Sequence, residues 1–176
     1  MRKKLAVILA ILTLLVSAGC SPSDTQDANK AKNTQEQQLD KTKDKKATIG
    51  EIAGIGDTAQ DWEAEFGHPY TQGDTLKVYK GGLYEVVFEK DRAVTITLPA
   101  KDGKEPEAAK LLPRDGKKQS ENSQQTGGLT MTVEKWHSDT LEKAIPDTKG
   151  TYTIMKNMNG KEYDSIIVDC TPNLKK

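Results

Sequence analysis

The sequence predicts an α+β fold: one antiparallel β-sheet with short helices packed on one face. Three observations predict it. Alternating runs at Leu76–Tyr79, Leu83–Glu89 and Ala93–Leu98 are separated by the turn formers Lys80-Gly81-Gly82 and Lys90-Asp91-Arg92. Asn159-Gly160, between Thr151–Met158 and Lys161–Cys170, is a hairpin signal, because Asn-Gly tolerates φ > 0 at both central turn positions. Two short helical patterns carry their own capping residues.

Taken in order, Asp57-Thr58 offers an N-cap, with Gln60 spaced from Asp57 as a capping box requires. Ala59, Trp62 and Phe66 then share one helical face. Gly67 and Pro69 end the helix, which runs from about Thr58 to Phe66. In the following meander, Tyr84, Val86 and Phe88 match Val94, Ile96 and Leu98 as a core face. Pro106–Leu112 reads as a short helix with proline at its first position, and Arg114–Gly128 as a long polar loop. Leu129–Trp136 reads as a strand whose core phase is set by Leu129, Met131 and Val133. Ser138 or Asp139 caps a helix ending near Ile145, with Asp139 and Glu142 spaced as a box. The order is α-β-β-β, then β-α-β-β. It gives one domain over 48–176 whose halves, 48–98 and 129–170, are candidates for a repeat.

Ahead of this domain, Met1–Lys4 is basic, Leu5–Val16 is apolar apart from one Thr, and Ser17-Ala18-Gly19-Cys20 follows. Twelve residues rise about 18 Å as a helix, short of the roughly 30 Å hydrocarbon core. The run therefore suits a secretory leader over 1–19 better than a membrane span. Ala18-Gly19-Cys20 resembles the lipobox of bacterial lipoproteins, with Ser17 where Leu is commonest. That resemblance implies a diacylglycerol thioether on Cys20 and attachment to the extracytoplasmic side of the cell membrane. Two acyl chains suffice for stable anchoring, at about 0.8 kcal/mol per buried CH₂. Residues 21–47 are polar, with Leu39 as the one large apolar side chain, and read as a disordered tether. A weak helix over Gln35–Lys46 is the competing reading.

Three of the 26 basic side chains (Arg2, Lys3, Lys4) lie in the leader, against 26 acidic ones beyond it. The remainder is mildly acidic and has no basic stripe, which argues against nucleic-acid binding. Cys20 and Cys170 are the two cysteines. If lipidation consumes Cys20, no internal disulfide can form.

The stretch Ile55-Gly56-Asp57-Thr58, the short helix, and Phe66-Gly67-His68-Pro69 before a meander resemble the opening of small lipoproteins with a β-lactamase-inhibitor-like fold. These include the SmpA/OmlA (BamE-like) outer-membrane assembly lipoproteins and lipoproteins of Gram-positive bacteria. The resemblance covers about Ile55–Leu98. It implies a helix-backed sheet whose free face engages another protein.

Neither His68 nor His137 is spaced with a second ligand as a zinc site requires, and no cofactor or metal is expected. Cys170 shares the phase of Ile166 and Val168 and reads as a buried thiol. The alternation places Tyr79, Leu83, Val87, Trp136, Met155, Tyr163 and Ile167 opposite the core, among Thr95, Thr97, Thr130, Thr132, Thr151 and Thr153, with Tyr79, Val87, Trp136, Tyr163 and Ile167 as the candidate partner-binding residues. Aromatic residues on such a face suit a protein or envelope partner, unless the 99–128 segment covers it. The expectation is a non-catalytic binding module. A hydrolase or thiol-redox protein using His137 or Cys170 is the alternative, and a solute-binding lipoprotein is disfavoured by size.

Overall fold

The computed structural model describes residues 47–71 and 73–171. The leader, Cys20 with its expected lipidation, and the tether up to residue 46 lie outside the described residues.

Eight strands form one antiparallel sheet: β1 (Tyr70–Thr71), β2 (Leu76–Tyr79), β3 (Tyr84–Glu89), β4 (Arg92–Pro99), β5 (Lys117–Thr126), β6 (Leu129–His137), β7 (Thr151–Asn159) and β8 (Glu162–Asp169). Their spatial order is β1-β2-β3-β4-β8-β7-β6-β5. Two meanders therefore meet where β4 pairs with β8, which brings the last strand to the middle. With two short helices, α1 (Ala59–Phe66) and α2 (Asp139–Ala144), the fold is predominantly antiparallel β.

Cross-strand register defines which side chains share a face. Val86 opposes Ile96, Ile96 opposes Val168, and Val168 opposes Ile154. All four are at most 3 % exposed and belong to a single core cluster. Trp62 of α1 is fully buried in the same cluster, its ring 5.3 Å from Tyr79 and 6.4 Å from Phe88. Leu141 of α2 is buried there as well. Full burial of one such side chain stabilises by about 1.5–3 kcal/mol.

The helix caps differ in detail from the sequence expectation. Thr58 caps α1, its hydroxyl accepting from the Asp61 amide at 3.1 Å while the Asp61 carboxylate accepts from the Thr58 amide at 3.0 Å. The capping box thus forms one residue beyond the Asp57–Gln60 spacing. Asp57 instead turns inward and accepts from the amides of Ile49 and Gly54, at 3.0 and 2.9 Å. Burial raises its pKa, and those two amides oppose the rise. Gly67 ends α1 at φ 83°, in the region a glycine enters without a Cβ clash. Ser138 caps α2 by accepting from the Leu141 amide at 3.0 Å, in place of the Asp139–Glu142 box.

Four further expectations are corrected. Residues 117–126 form the ten-residue strand β5, not a loop. Every one of them is exposed, so no burial alternation marks them, and their ladder to β6 holds the strand. Pro106–Leu112 contains a single 3-10 turn at Ala109–Leu111. Asn159 pairs with Glu162, so Gly160, at φ 62°, is the turn position of the last hairpin that needs a left-handed backbone. Finally, β6 has the opposite phase: Glu134 opposes buried Ile154 and Trp136 opposes buried Tyr152. Leu129 and Met131 are consequently 57 % and 39 % exposed.

Candidate functional site

The inverted phase of β6 gives the second sheet face a character of its own. One row across it runs Glu85, Thr97, Ile167, Met155, Val133. The next runs Val87, Thr95, Asp169, Thr153, Lys135. None of these residues is buried. The 99–128 segment does not lie over them: its Leu111 joins the core cluster on the other side, and 117–126 extends the sheet as β5. Leu129, Met131, Val133, Met155 and Ile167 form an apolar strip at one end of this open face. Thioether side chains fill irregular contours readily and recur on partner-binding surfaces. Asp169 sits between Thr95 and Thr153 and accepts from the Thr95 hydroxyl at 2.9 Å, a solvated polar girdle beside the strip.

Of the five candidate partner-binding residues read from sequence, Val87 and Ile167 fall on it by register, both half-buried, and Val87 also packs against the core cluster beside a register shift. The other three are corrected. Tyr79 pairs with Tyr84 on the core face and is 1 % exposed against Trp62. Burial, then Glu63, pushes its phenol up to about 12. Trp136 faces the core side, its ring stacked on Tyr152 at 6.3 Å. Tyr163 is turned by a register shift between Asn157 and Met158, which pairs it with Met158 and packs it against the core cluster. Thr130 and Thr132 likewise fall on the core side, opposite Met158 and Lys156. Sequence reasoning missed Met131 and Val133 because their strand was read in the wrong phase.

On the core side, an open groove of ≈ 600 Å³ lies between β6–β8 and residues 105–112. Trp136, Ile154 and Ile166 contribute apolar surface to it. Glu134, 7 % exposed, accepts from the Trp136 indole Nε1 at 2.9 Å. Its other oxygen lies 3.3 Å from Lys118 Nζ and 3.4 Å from Lys156 Nζ. Lys118 also binds Glu121, and Lys156 reaches Glu105 at 3.5 Å. Burial alone would raise the Glu134 carboxyl; the indole, Lys156 and Lys118 outweigh it and hold the group below its ordinary range. Burial alone would lower Lys156, but Glu134 and Glu105 raise it.

The two residues considered for catalysis differ in their surroundings. Cys170 is fully buried, its thiol donating to the Val94 carbonyl at 3.4 Å. Burial pushes that thiol up to about 12, which suppresses the thiolate that nucleophilic or redox chemistry needs. His137 Nε2 lies 3.1 Å from Asp139 Oδ1, and Glu142 completes a group whose ligand atoms fall within 4.8 Å of one another. The group sits at the start of α2, where the helix dipole disfavours a cation. No helix among the described residues is long and apolar enough to cross a membrane.

No family model, curated protein or solved structure matches this chain.

Proposed function

We propose that the chain is a lipid-anchored, extracytoplasmic interaction module of a bacterial cell envelope. In this reading it is α+β, with both helices on the core side of the sheet, and it binds a protein or envelope component through the opposite face without catalysis. The observation that carries the reading is the bare second face: two central rows spanning five strands contain no buried residue. Large exposed apolar patches mark interaction sites, and the Leu129–Met131–Val133 row of β6 with Met155 and Ile167 supplies one. The buried thiol of Cys170 supports the non-catalytic part of the reading. The lipobox-like Ala18-Gly19-Cys20 supports the anchor.

Photo-crosslinkers placed at 87, 155 and 167 in producing cells test the docking face, with Gln60 on exposed helix surface as control. Capture of one common species from the three face positions, absent at 60, is the expected result. Capture at none of them would end the sheet-face reading. A Cys20→Ser chain should lose fatty-acid labelling and leave the membrane fraction. If the wild-type chain takes up no label, the anchor is wrong.

A further inference from the structure

We propose that the groove on the core side is a second binding site, specific for a neutral sugar. It stands apart from the docking face, being on the other side of the sheet. Its volume of ≈ 600 Å³ falls in the range of small-molecule sites, which combine apolar walls with a few convergent polar groups. Half-buried Trp136 and Leu112 and exposed Ala109 form such walls, with Ile154 and Ile166, 3 % and 2 % exposed, also in the lining. Glu134, Lys156 and Glu105 are polar groups of the lining, and its other charged groups, Glu107 and Lys110, pair with each other at 3.8 Å.

The ligand class follows from how those charges are spent. Glu134 is shared by Lys118, Lys156 and the Trp136 indole, and Lys156 is shared by Glu134 and Glu105. An ionic ligand in contact with Glu134 or Lys156, the two least exposed of these groups, would have to break one of their pairs and leave an unpaired, partly buried charge. A hydrocarbon chain would seat methylenes against a carboxylate and an ammonium, with no hydrogen bonds to replace water. A pyranose avoids both penalties. Its C–H face packs on the Trp136 indole and Leu112. Its hydroxyls act as donors to the carboxylates and acceptors from Lys156, without carrying charge.

The two tryptophans make the test internal. Trp136 bonds its indole N–H to Glu134 beside the groove, whereas Trp62 bonds its own to Gly54 O inside the core, at 3.1 Å. Full-length ¹⁵N-labelled protein in detergent is titrated with the trimer of N-acetylglucosamine, the trimer of glucose, myristate, and a Lys-Ala-Glu tripeptide. A saturable shift of the Trp136 indole resonance with a neutral trimer, leaving Trp62 unmoved, is expected. Ala109 is exposed and lines the groove, so Ala109→Phe should fill it without disturbing the core and weaken binding about tenfold or more. Glu134→Gln should weaken it about tenfold through the lost charged acceptor. The proposal is overturned if neither trimer moves the resonance, if myristate or the tripeptide moves it instead, or if the shift survives Ala109→Phe.

Discussion

Glu134 and Trp136 stand two residues apart on β6, and a 2.9 Å bond from indole Nε1 to carboxylate Oε2 joins them on one face of the sheet. That bond ties a charged side chain into the core side. It leaves Met131 and Val133 to the opposite, open face.

The Glu134 carboxyl, held below its ordinary range, makes stability pH-dependent with a definite sign. Its contribution is complete above the unfolded glutamate pKa and is lost as pH falls through the folded value. Glu134→Gln should therefore lower stability by about 1–2 kcal/mol at neutral pH and flatten the acid limb. Urea midpoints measured between pH 3 and 7 check both. An acid limb unchanged in the variant would remove Glu134 from the account.

Trp62 joins α1 to the sheet through ring contacts with Phe66, Tyr79, Tyr84 and Phe88, and through its bond to Gly54 O. Truncation to alanine should cost about 3–5 kcal/mol. Calorimetry would show whether the loss is that large.

A Cβ on Gly54 would sit 1.9 Å from the Leu111 carbonyl oxygen, against backbone that cannot swing aside. Gly54→Ala should separate the 48–57 loop from the 109–112 turn and destabilise by more than the about 1–3 kcal/mol usual for overpacking. Amide exchange at Ile55, which donates to Leu111 O at 3.1 Å, should rise sharply.

Cys170 should resist iodoacetamide in the native state and react on unfolding, as read by mass spectrometry. Its raised folded pKa means the neutral thiol is favoured by folding, so stability is lost as pH climbs from the free-thiol value toward about 12. Rapid native alkylation at neutral pH would contradict the burial.

Met131→Asp, on the open face at 39 % exposure, should shift stability by no more than about 0.5 kcal/mol. It should still abolish capture of the proposed partner from positions 155 and 167. Retained capture in the variant would remove the apolar strip from the docking surface.

Most elements were legible where burial imposes a pattern. The α1 face, the β2–β4 meander and the last hairpin follow from period and turn residues, because each buries one side chain set in the core. Strand β5 was not legible: Lys117–Thr126 buries nothing, so hydrophobic periodicity has nothing to report. Tyr79 was misplaced because alternation in a four-residue strand does not say which set of side chains faces the core, whereas α1 folds onto it.

What the sequence determined by itself is strands β2–β4 and β6–β8, the apolar face of α1 and the burial of Cys170, all set by local chemistry and spacing. The tertiary structure alone decided which face of each outer strand is inward. Alternation defines two sets of side chains and does not rank them. In β6 both sets contain apolar groups, so the ladder to β7, which places Glu134 and Trp136 against Ile154 and Tyr152, makes the choice.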